Sequence, residues 1–273
     1  MVIRQHLINF KQVRKAREHS LRLKLQRAPD SPLLPMKLIL LVWNTFKRHG
    51  AEAFDKDMLR LNQRCDIFCL QEVLFHEMLF LDKHFHAMNY NYAISYLRPD
   101  GFCEGVVTLS DYRMGGNPLA LLSHGREPIS NTPKAAQVSF FDLEDGRQLL
   151  VINIHMLLFK RKKNINKEFQ QILKATDAYR DYPAIFAGDF NTFTAKQRQH
   201  IDIILAGDGY VRCVPDKEPR GKRALDHVYV RGMSNHSVSI VDNISSSDHY
   251  PLYCRLQIQD DQRQPLAGNS IKR

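Results

Sequence analysis

Short apolar runs separated by polar segments recur along most of the chain. The clearest is Leu38–Trp43, which is continuous, follows Pro35 and is followed by Asn44, as is typical of a buried strand. The stretch 115–133 is rich in Gly, Pro, Ser and Asn, so it is expected to be mostly loop with a short strand at 119–122. The other strands that the pattern predicts are 66–70, 90–97, 104–110, 136–143, 148–154, 183–188, 225–230, 237–241 and 250–258.

Apolar residues at helical spacing predict four helices, at 51–63, 75–87, 164–180 and 195–205. In the helix at 164–180, Ile165, Phe169 and Ile172 share one stripe. The pair Asp145-Gly146 between two apolar segments predicts a tight hairpin. Because strands outnumber helices, and both hairpin and strand–helix links occur, the expected fold class is α+β. We expect a four-layer α/β/β/α sandwich, in which two mixed β-sheets pack face to face and helices cover their outer faces.

The two ends of the chain differ in character from the middle. Residues 1–35 form a basic arm, in which eight basic residues before residue 30 face the single acid Glu18. Apolar residues at positions 3, 7 and 10 are spaced like one face of a helix. The arm is interpreted either as a surface for phosphates or lipid head groups, or as a solvated, partly frayed helix. An arginine-rich, acid-poor start is also typical of an organellar presequence. The compact domain is expected over 36–258, followed by a polar tail at 259–273.

The composition indicates a globular protein that binds a polyanionic partner. Hydrophobic residues make up 44% of the chain and charged residues 25%, and no apolar run approaches the length of a membrane span. The net charge of +10 favours a polyanionic partner, such as nucleic acid, an anionic membrane surface or a phosphorylated small molecule, over general solubility alone. Five cysteines without a Cys-x-x-Cys pair argue against a metal–thiolate site and favour a reducing compartment. We therefore expect a cytoplasmic monomer.

Polar residues suited to acid–base and metal chemistry accompany several predicted strands. A charge inside a strand needs a partner, and active sites of sheet proteins form where strand ends converge. Carboxylate and amide oxygens suit Mg²⁺, with Mn²⁺ as a substitute, whereas histidines can donate to a phosphate. Arg126, Lys134 and the basic run 160–163 are interpreted either as guides for a polyanion or as solvated charge. The residues at the strand ends, together with one acid inside a strand, are Asn44, Glu72, His155, Asp189, Asn191, Asp226, Asp248 and His249.

The order and spelling of these segments resemble a known family. Together they are similar to the motif series of the endonuclease/exonuclease/phosphatase superfamily, which has the DNase-I-like fold, and the resemblance covers residues 36–258. Arg126-Glu127-Pro128 and Thr132-Pro133-Lys134 also resemble a loosely characterised bacterial branch of that superfamily. The segments that carry the main resemblance are Trp43-Asn44, Leu70-Gln71-Glu72, Asn153-Ile154-His155, Gly188-Asp189-Phe190-Asn191, Leu225-Asp226-His227 and Ser247-Asp248-His249-Tyr250-Pro251.

The resemblance implies a metal site and a group that controls the attacking water. Glu72 would be the main Mg²⁺ ligand, helped by Asn44 and Asp248. Asp189 would orient or deprotonate the attacking water, and Asn191 would hold that water or a phosphate oxygen. The implied reaction cleaves a P–O bond by in-line attack of water, without a covalent enzyme intermediate.

The resemblance also implies two histidine donors. His249 would donate to a non-bridging phosphate oxygen, with Asp226 as its carboxylate partner. His155 would donate to phosphate or to the leaving oxygen, with Asn153 supporting it on the substrate side. Abasic-site nucleases of the superfamily carry an acid where this chain has Phe46, and a Tyr where it has His155. Both differences favour the DNase, sphingomyelinase and general phosphodiesterase branches.

Three functions are compatible with these residues. The first is a Mg²⁺-dependent phosphodiesterase that acts as an endonuclease on DNA or RNA. The second is the same chemistry on a phospholipid or an inositol phosphate, with residues 1–27 as a membrane-surface arm. The third is a catalytically idle binding protein on the same fold, against which the complete set of catalytic residue types argues.

Overall fold

The computed structural model describes residues 23–28, 30–46, 51–62, 65–75, 88–98, 101–158, 162–217 and 225–260. Within these residues the chain forms two mixed β-sheets, one of seven strands and one of six, with helices on their outer faces. The expected α/β/β/α sandwich is therefore confirmed. No helix in the described part of the chain is long and apolar enough to cross a membrane.

Most predicted strands are found within a few residues of their expected limits. In chain order, the strands are β1 Leu23–Gln26, β2 Lys37–Asn44, β3 Ile67–Phe75, β4 Asn89–Leu97, β5 Cys103–Ser110, β6 Met114–Leu122, β7 Ala135–Asp142, β8 Gln148–His155, β9 Ala184–Asp189, β10 Val211–Cys213, β11 Asp226–Arg231, β12 Met233–Ile240 and β13 Leu252–Ile258.

Each sheet has one parallel pair of strands near its middle. The seven-stranded sheet has the order β1-β4-β5-β3-β2-β13-β12, and the six-stranded sheet has the order β10-β11-β9-β8-β7-β6. The pair β2–β3 in the first sheet and the pair β8–β9 in the second are parallel, whereas the other pairings are antiparallel. Parallel strands end at the same edge of a sheet, so polar residues at their carboxyl ends are brought together.

Three large apolar clusters and one small cluster around Val106 are buried among the described residues. The helices are α1 Ala51–Asn62, α2 Lys162–Ala175 and α3 Ala195–Ala206, and a short 3₁₀ turn, Asp177–Tyr179, follows α2. One cluster lies between the sheets, one packs α1 on the seven-stranded sheet, and one packs α2 and α3 on the six-stranded sheet. Burial of these faces is the main force that holds helices to sheets.

Buried polar side chains connect the two sheets inside the apolar core. Gln71 Nε2 donates to Asn153 Oδ1 over 2.7 Å, and Asn153 Nδ2 donates to Val107 O over 2.8 Å. Thr108 Oγ1 donates to Gln137 Oε1 over 2.6 Å. A buried polar group without a partner is costly, and a one-residue slip turns each side chain to the opposite face. These bonds therefore favour one register of the two sheets.

The structure corrects four expectations about local structure. Strand β3 does not end at Leu70 but continues to Phe75. Strand β6 covers Met114–Leu122, where mostly loop was expected, because pairing with β7 overrides the Gly and Pro content. The expected helix 164–180 ends at Ala175. The strand β10 was not predicted, because its three residues carry no pattern.

Parts of the expected domain plan fall outside the described residues. Residues 23–26, which the sequence places in the basic arm, form strand β1 and pair with β4 at the sheet edge. The rest of the helical arm prediction concerns residues 1–22, and the helix expected at 75–87 concerns residues 76–87 after the end of β3. Both lie outside the described part of the chain, as does most of the tail. The domain limits therefore stay predictions.

Candidate active site

The register of the strands aligns the predicted site residues in rows. His155 and Asp189 are partners at the ends of the parallel strands β8 and β9, and Asp226 is the partner of Asp189 on the antiparallel strand β11. In the other sheet, Asn44 at the end of β2 is the partner of Gln71 on β3. The two rows face each other across one edge of the sandwich, where Asn44 Nδ2 donates to Asp189 Oδ2 over 3.0 Å.

The turn after β9 is shaped by a glycine and an asparagine with positive φ. Gly188 has φ +138°, and a Cβ there would lie 2.0 Å from Ile154 O on the neighbouring strand. Asn191 has φ +50°, its backbone N–H donates to Asp189 Oδ1 over 2.9 Å, and its Nδ2 donates to Met156 O over 2.8 Å. The turn thus fixes the Asp189 carboxylate from its own backbone and ties it to the chain after β8.

Glu72 reaches the site through a β-bulge. The register between β3 and β5 shifts between Leu70 and Val73, and Glu72 has φ +52°. A bulge adds a residue on one strand, and it redirects the side chain that follows from the regular alternation. Left-handed backbone at a residue other than glycine costs free energy and is concentrated at functional sites. The strand passes through Glu72 and turns its side chain toward the cluster instead of ending there.

Asp189 lies at the centre of the cluster and is almost fully buried. His155 Nε2 is 3.4 Å from Asp189 Oδ2, and His249 Nε2 is 4.0 Å from the same oxygen. Burial and the neighbouring Asp226 carboxylate raise the pKa of Asp189, although His249 and the bonds from Asn191 and Asn44 oppose this shift. Raised carboxyl pKa values in a cleft are typical of groups that handle protons.

His249 and Asp226 form the tightest polar pair of the cluster. His249 Nδ1 lies 2.6 Å from Asp226 Oδ2. Burial opposes a charge on this imidazole, but Asp226, Asp189 and Asp248 outweigh it and raise the pKa of His249 to about 10. The His249 backbone is also fixed, because its N–H donates to Ser247 Oγ over 3.0 Å. Residue 249 therefore presents a positively charged ring at neutral pH, held by the carboxylate.

Lys134 belongs to the cluster rather than to the surface. Its ammonium lies 3.7 Å from Glu72 Oε1 and 3.8 Å from Glu104 Oε1, and its side chain is 8% exposed. Glu72 Oε1 is also 3.8 Å from His155 Nε2. Glu104 is not among the site residues predicted from the sequence, although an acid within the apolar run 103–110 carries the same signal as Asp226, a charge in a strand that needs a partner.

Three of the predicted site residues are not among the side chains that contact one another in this cluster. Asn153 is fully buried beneath it and bonds to Gln71, Leu70 and Val107, so it supports β8 from inside the sandwich. Asp248 is exposed beside His249. Arg126 is exposed on the loop before β7, where its Nη1 donates to Asn131 O over 3.0 Å.

The donor chemistry of the cluster fits a divalent cation bound by oxygen. Glu72 and Asn44 supply carboxylate and amide oxygens of the kind that Mg²⁺ prefers. Asp226 Oδ1 is buried and has no hydrogen-bond partner within the described residues, and ligand atoms of Asp189, Asp226 and His249 lie within 4.8 Å of one another. The carboxylates around His249 raise its pKa to about 10, so at neutral pH both ring nitrogens carry protons and neither offers a lone pair to a cation. The oxygen donors are therefore the better set.

The chain is similar to proteins of one known family. A model of the endonuclease/exonuclease/phosphatase family matches residues 41–249. A UPF0294 protein of Klebsiella pneumoniae (strain 342) is 31% identical over 225 residues, which cover 79% of this chain and 80% of that protein.

Solved structures show the same fold at low sequence identity. An endonuclease/exonuclease/phosphatase from Beutenbergia cavernae matches with a TM-score of 0.64 and 16% identity, covering 82% of this chain and 72% of that one. The Bacteroides thetaiotaomicron mannosyl-6-phosphatase matches with a TM-score of 0.56 and 16% identity, covering 80% and 99% of the two chains. The family match spans both rows of site residues, and this chain therefore belongs to the endonuclease/exonuclease/phosphatase family.

Proposed function

We propose that this protein is a divalent-metal-dependent phosphodiesterase that acts on nucleic acid as an endonuclease. One observation carries the proposal, namely that motif residues from five strands of both sheets, and from the loop before β13, meet in one buried cluster around Asp189. Chance turn chemistry at separate strand ends does not account for such convergence. The residues that meet are Asn44, Glu72, His155, Asp189, Asn191, Asp226 and His249.

Asp189 is proposed to orient the attacking water and accept its proton. Its carboxylate is fixed by Asn44 and by the backbone of Asn191, so few orientations are open to it. Its raised pKa makes it a stronger base than an exposed carboxylate. Asn191 uses one amide hydrogen on Met156 O and retains a second for the water or for a phosphate oxygen.

The cationic side chains are proposed to stabilise the charge that develops on the phosphate. His249, kept protonated by Asp226, donates from Nε2, and His155 donates to a phosphate oxygen or to the leaving oxygen. A divalent cation held by Glu72, Asn44 and, as the resemblance implies, Asp248 would neutralise further charge on the phosphate oxygens. Fixed donors in a buried site need little reorganisation during the reaction, which lowers the barrier.

A basic face on α2 supports nucleic acid as the substrate. Lys163, Lys167 and Lys174 project from one side of α2, and the first turn of that helix contains no acid. The helix dipole disfavours Lys163 in the first turn, so helix stability does not explain that lysine, whereas Lys174 lies in the last turn, where the dipole favours a cation. A groove of about 650 Å³ between α2 and β6 is lined by His124, Lys167 and Lys174, and no described residue of its lining is acidic. Such a face suits the phosphates of a long polyanion.

The state of the cysteines supports a proposal about the compartment in which the protein works. All five cysteines are free thiols. Free, mostly buried thiols are typical of proteins in a reducing compartment, which supports the proposal that the protein works in the cytoplasm. Residues 1–22 of the basic arm lie outside the described residues, so the membrane alternative rests on the sequence pattern alone.

A substrate panel tests the proposed function. The wild type is assayed with and without Mg²⁺ or Mn²⁺ on double-stranded DNA, abasic DNA, RNA, bis(p-nitrophenyl) phosphate, sphingomyelin vesicles, inositol phosphates and a sugar monophosphate. Metal-dependent cleavage of DNA or RNA that Asp189→Asn and His249→Ala abolish is the expected result. Turnover confined to lipid or to monoesters would overturn the nuclease assignment, and no turnover of any ester would favour a binding protein.

A further inference from the structure

A second charged group of residues lies behind the proposed phosphate site. Glu104 is 2% exposed, and its Oε2 accepts a short hydrogen bond from the Tyr96 hydroxyl. Its Oε1 is 3.8 Å from Lys134 Nζ, which lies 3.7 Å from Glu72 Oε1. Tyr96, Glu104 and Lys134 thus form a buried chain of contacts that ends at a proposed metal ligand.

Two irregularities on either side of β5 place this chain of contacts. The register between β4 and β5 shifts between Ile94 and Tyr96, so that Tyr96 is the partner of Glu104. On the other side, the bulge in β3 lies opposite the same part of β5 and turns Glu72 toward the cluster. Bulges re-aim side chains next to active sites. Both neighbours of β5 therefore depart from regular pairing where Glu104 stands.

Glu104 faces the opposite sheet. Val106, two residues along β5, contacts the buried cluster that includes Ala135 at the start of β7, and residues two apart on a strand share a face. Lys134 directly precedes β7, so its side chain meets Glu104 across the space between the sheets. The Tyr96 hydroxyl remains a proton donor in this position, because burial and the Glu104 carboxylate raise its pKa far above the usual range.

We propose that Glu104 and Tyr96 position the Lys134 ammonium so that it donates to a non-bridging oxygen of the bound phosphodiester. Lys134 contacts the substrate in this arrangement, whereas Glu104 and Tyr96 act through it. The inference rests on the proposed function. It deepens that function by assigning two positioning residues that no motif contains.

The energetics favour positioning over simple stabilisation. Removing an ammonium from water is costly, and apolar residues of similar volume often stabilise a core as well as a buried ion pair does. A charge retained at the edge of a site is therefore better explained by recognition of an anion. When Glu72 serves a divalent cation, Glu104 is the carboxylate that still holds Lys134 in place. The Tyr96 bond, in turn, keeps Glu104 in one orientation.

A double-mutant cycle tests whether Glu104 acts through Lys134. The variants are Lys134→Met, Glu104→Gln and the two combined, with kcat and KM measured on bis(p-nitrophenyl) phosphate. A hydrogen bond to a charged group is worth about tenfold or more in binding, so Lys134→Met should raise KM by about that factor. Glu104→Gln should raise KM by a smaller factor, and the double variant should be no worse than Lys134→Met. Effects that multiply in the double variant would overturn the inference.

Phosphate binding supplies a readout that does not need turnover. Titration calorimetry of inorganic phosphate into the wild type and the variants should show the same order of affinities as KM. If no ester is turned over while phosphate binding still depends on Glu104 and Lys134, the proposed function fails but the positioning role stands. Equal phosphate affinity in wild type and Glu104→Gln would refute the positioning role.

Two further variants distinguish a positioning role from a loss of stability. Tyr96→Phe removes one hydroxyl without changing the ring, so it should raise KM modestly at an unchanged kcat. Glu144→Gln, at an exposed position, is the matched neutralisation and should leave both constants unchanged. If Tyr96→Phe and Glu104→Gln lower the melting temperature but leave KM and phosphate affinity unchanged, their role is structural and the inference is wrong.

Discussion

Nδ1 of His249 and Oδ2 of Asp226 lie 2.6 Å apart, although 23 residues separate them in the chain. Asp226 begins β11 in one sheet, and His249 precedes β13 in the other. The contact therefore joins the two sheets at the edge that holds the site. It fixes which ring nitrogen faces the carboxylate and leaves Nε2 toward Asp189, 4.0 Å away.

Replacing Asp226 by Asn should reduce cleavage by about a hundredfold, because the neutral amide no longer stabilises the His249 imidazolium. Initial rates on double-stranded DNA with Mg²⁺ measure the effect. Asp216→Asn, at an exposed position of the same residue type, should cleave at the wild-type rate. A rate for Asp226→Asn within twofold of the wild type would show that the carboxylate has no part in the reaction.

Gly188→Ala should destabilise the fold by about 3 kcal/mol or more, since it combines left-handed strain with a steric clash. The new Cβ would lie 2.0 Å from Ile154 O, which is backbone and cannot move aside cheaply. Gly146→Ala is the matched control, because Gly146 also has positive φ but no atom lies within 4 Å of the added Cβ. For Gly146→Ala, urea unfolding should show a decrease in the free energy of unfolding of about 1 kcal/mol. Equal decreases in the two variants would contradict the steric argument.

His227 should make the protein less stable in mild acid. Its Nε2 lies 2.6 Å from Thr192 Oγ1, and burial, with Arg212 and Arg198, lowers its pKa to about 3. The folded state excludes a proton that the unfolded chain binds below about pH 6.5. Stability is therefore complete above that pH and falls by about 1.4 kcal/mol for each unit as the pH drops toward the folded pKa.

The substitution His227→Gln isolates this effect. Urea unfolding between about pH 7.5 and about pH 4.5 should show a shallower pH dependence in the variant, by about one proton. His236→Gln, at an exposed position, should keep the wild-type slope. If the free energy of unfolding has the same pH dependence in the wild type and in His227→Gln, the histidine is protonated in the folded state. Its assignment as a neutral residue would then be wrong.

Charge reversal on α2 should weaken binding of long nucleic acid and leave the chemistry intact. The double variant Lys163→Glu/Lys167→Glu should raise KM for DNA and flatten the salt dependence, by about 0.9 in the logarithmic slope for each phosphate that the protein no longer neutralises. Turnover of bis(p-nitrophenyl) phosphate should not change. Reversal of Lys163 favours the helix dipole, so unfolding of the helix would not explain weaker binding.

Lys56→Glu, a single charge reversal on another helix, is the control for the α2 face. Lys56 is exposed on α1, which covers the other sheet. This variant should change KM for DNA only by the effect of the lower net charge of the protein. An equal change in KM for DNA in the two variants would show that the lysines of α2 do not form a specific binding site for DNA phosphates.

Local elements and the order of the site motifs could be predicted from the sequence. Leu38–Trp43 and the hairpin at Asp145-Gly146 are determined by apolar runs and turn chemistry within a few residues. The mixed-sheet sandwich followed from the ratio of strands to helices. Positions such as Glu72 were identified through their motifs, whereas Glu104 lies in no motif and is marked only as an acid inside an apolar run.

Tertiary structure decided which of these residues meet. Lys134 is in the cluster and Arg126 is on the surface, although both are basic residues of one loop. Strand pairing decided that β3 passes through Glu72 and that Tyr96 stands opposite Glu104. A strand's own residues set its periodicity, but its neighbours set its register and its bulges. The sequence by itself thus determined the chemical groups and the strands that carry them, while the packing of two sheets determined their distances, burial and charge.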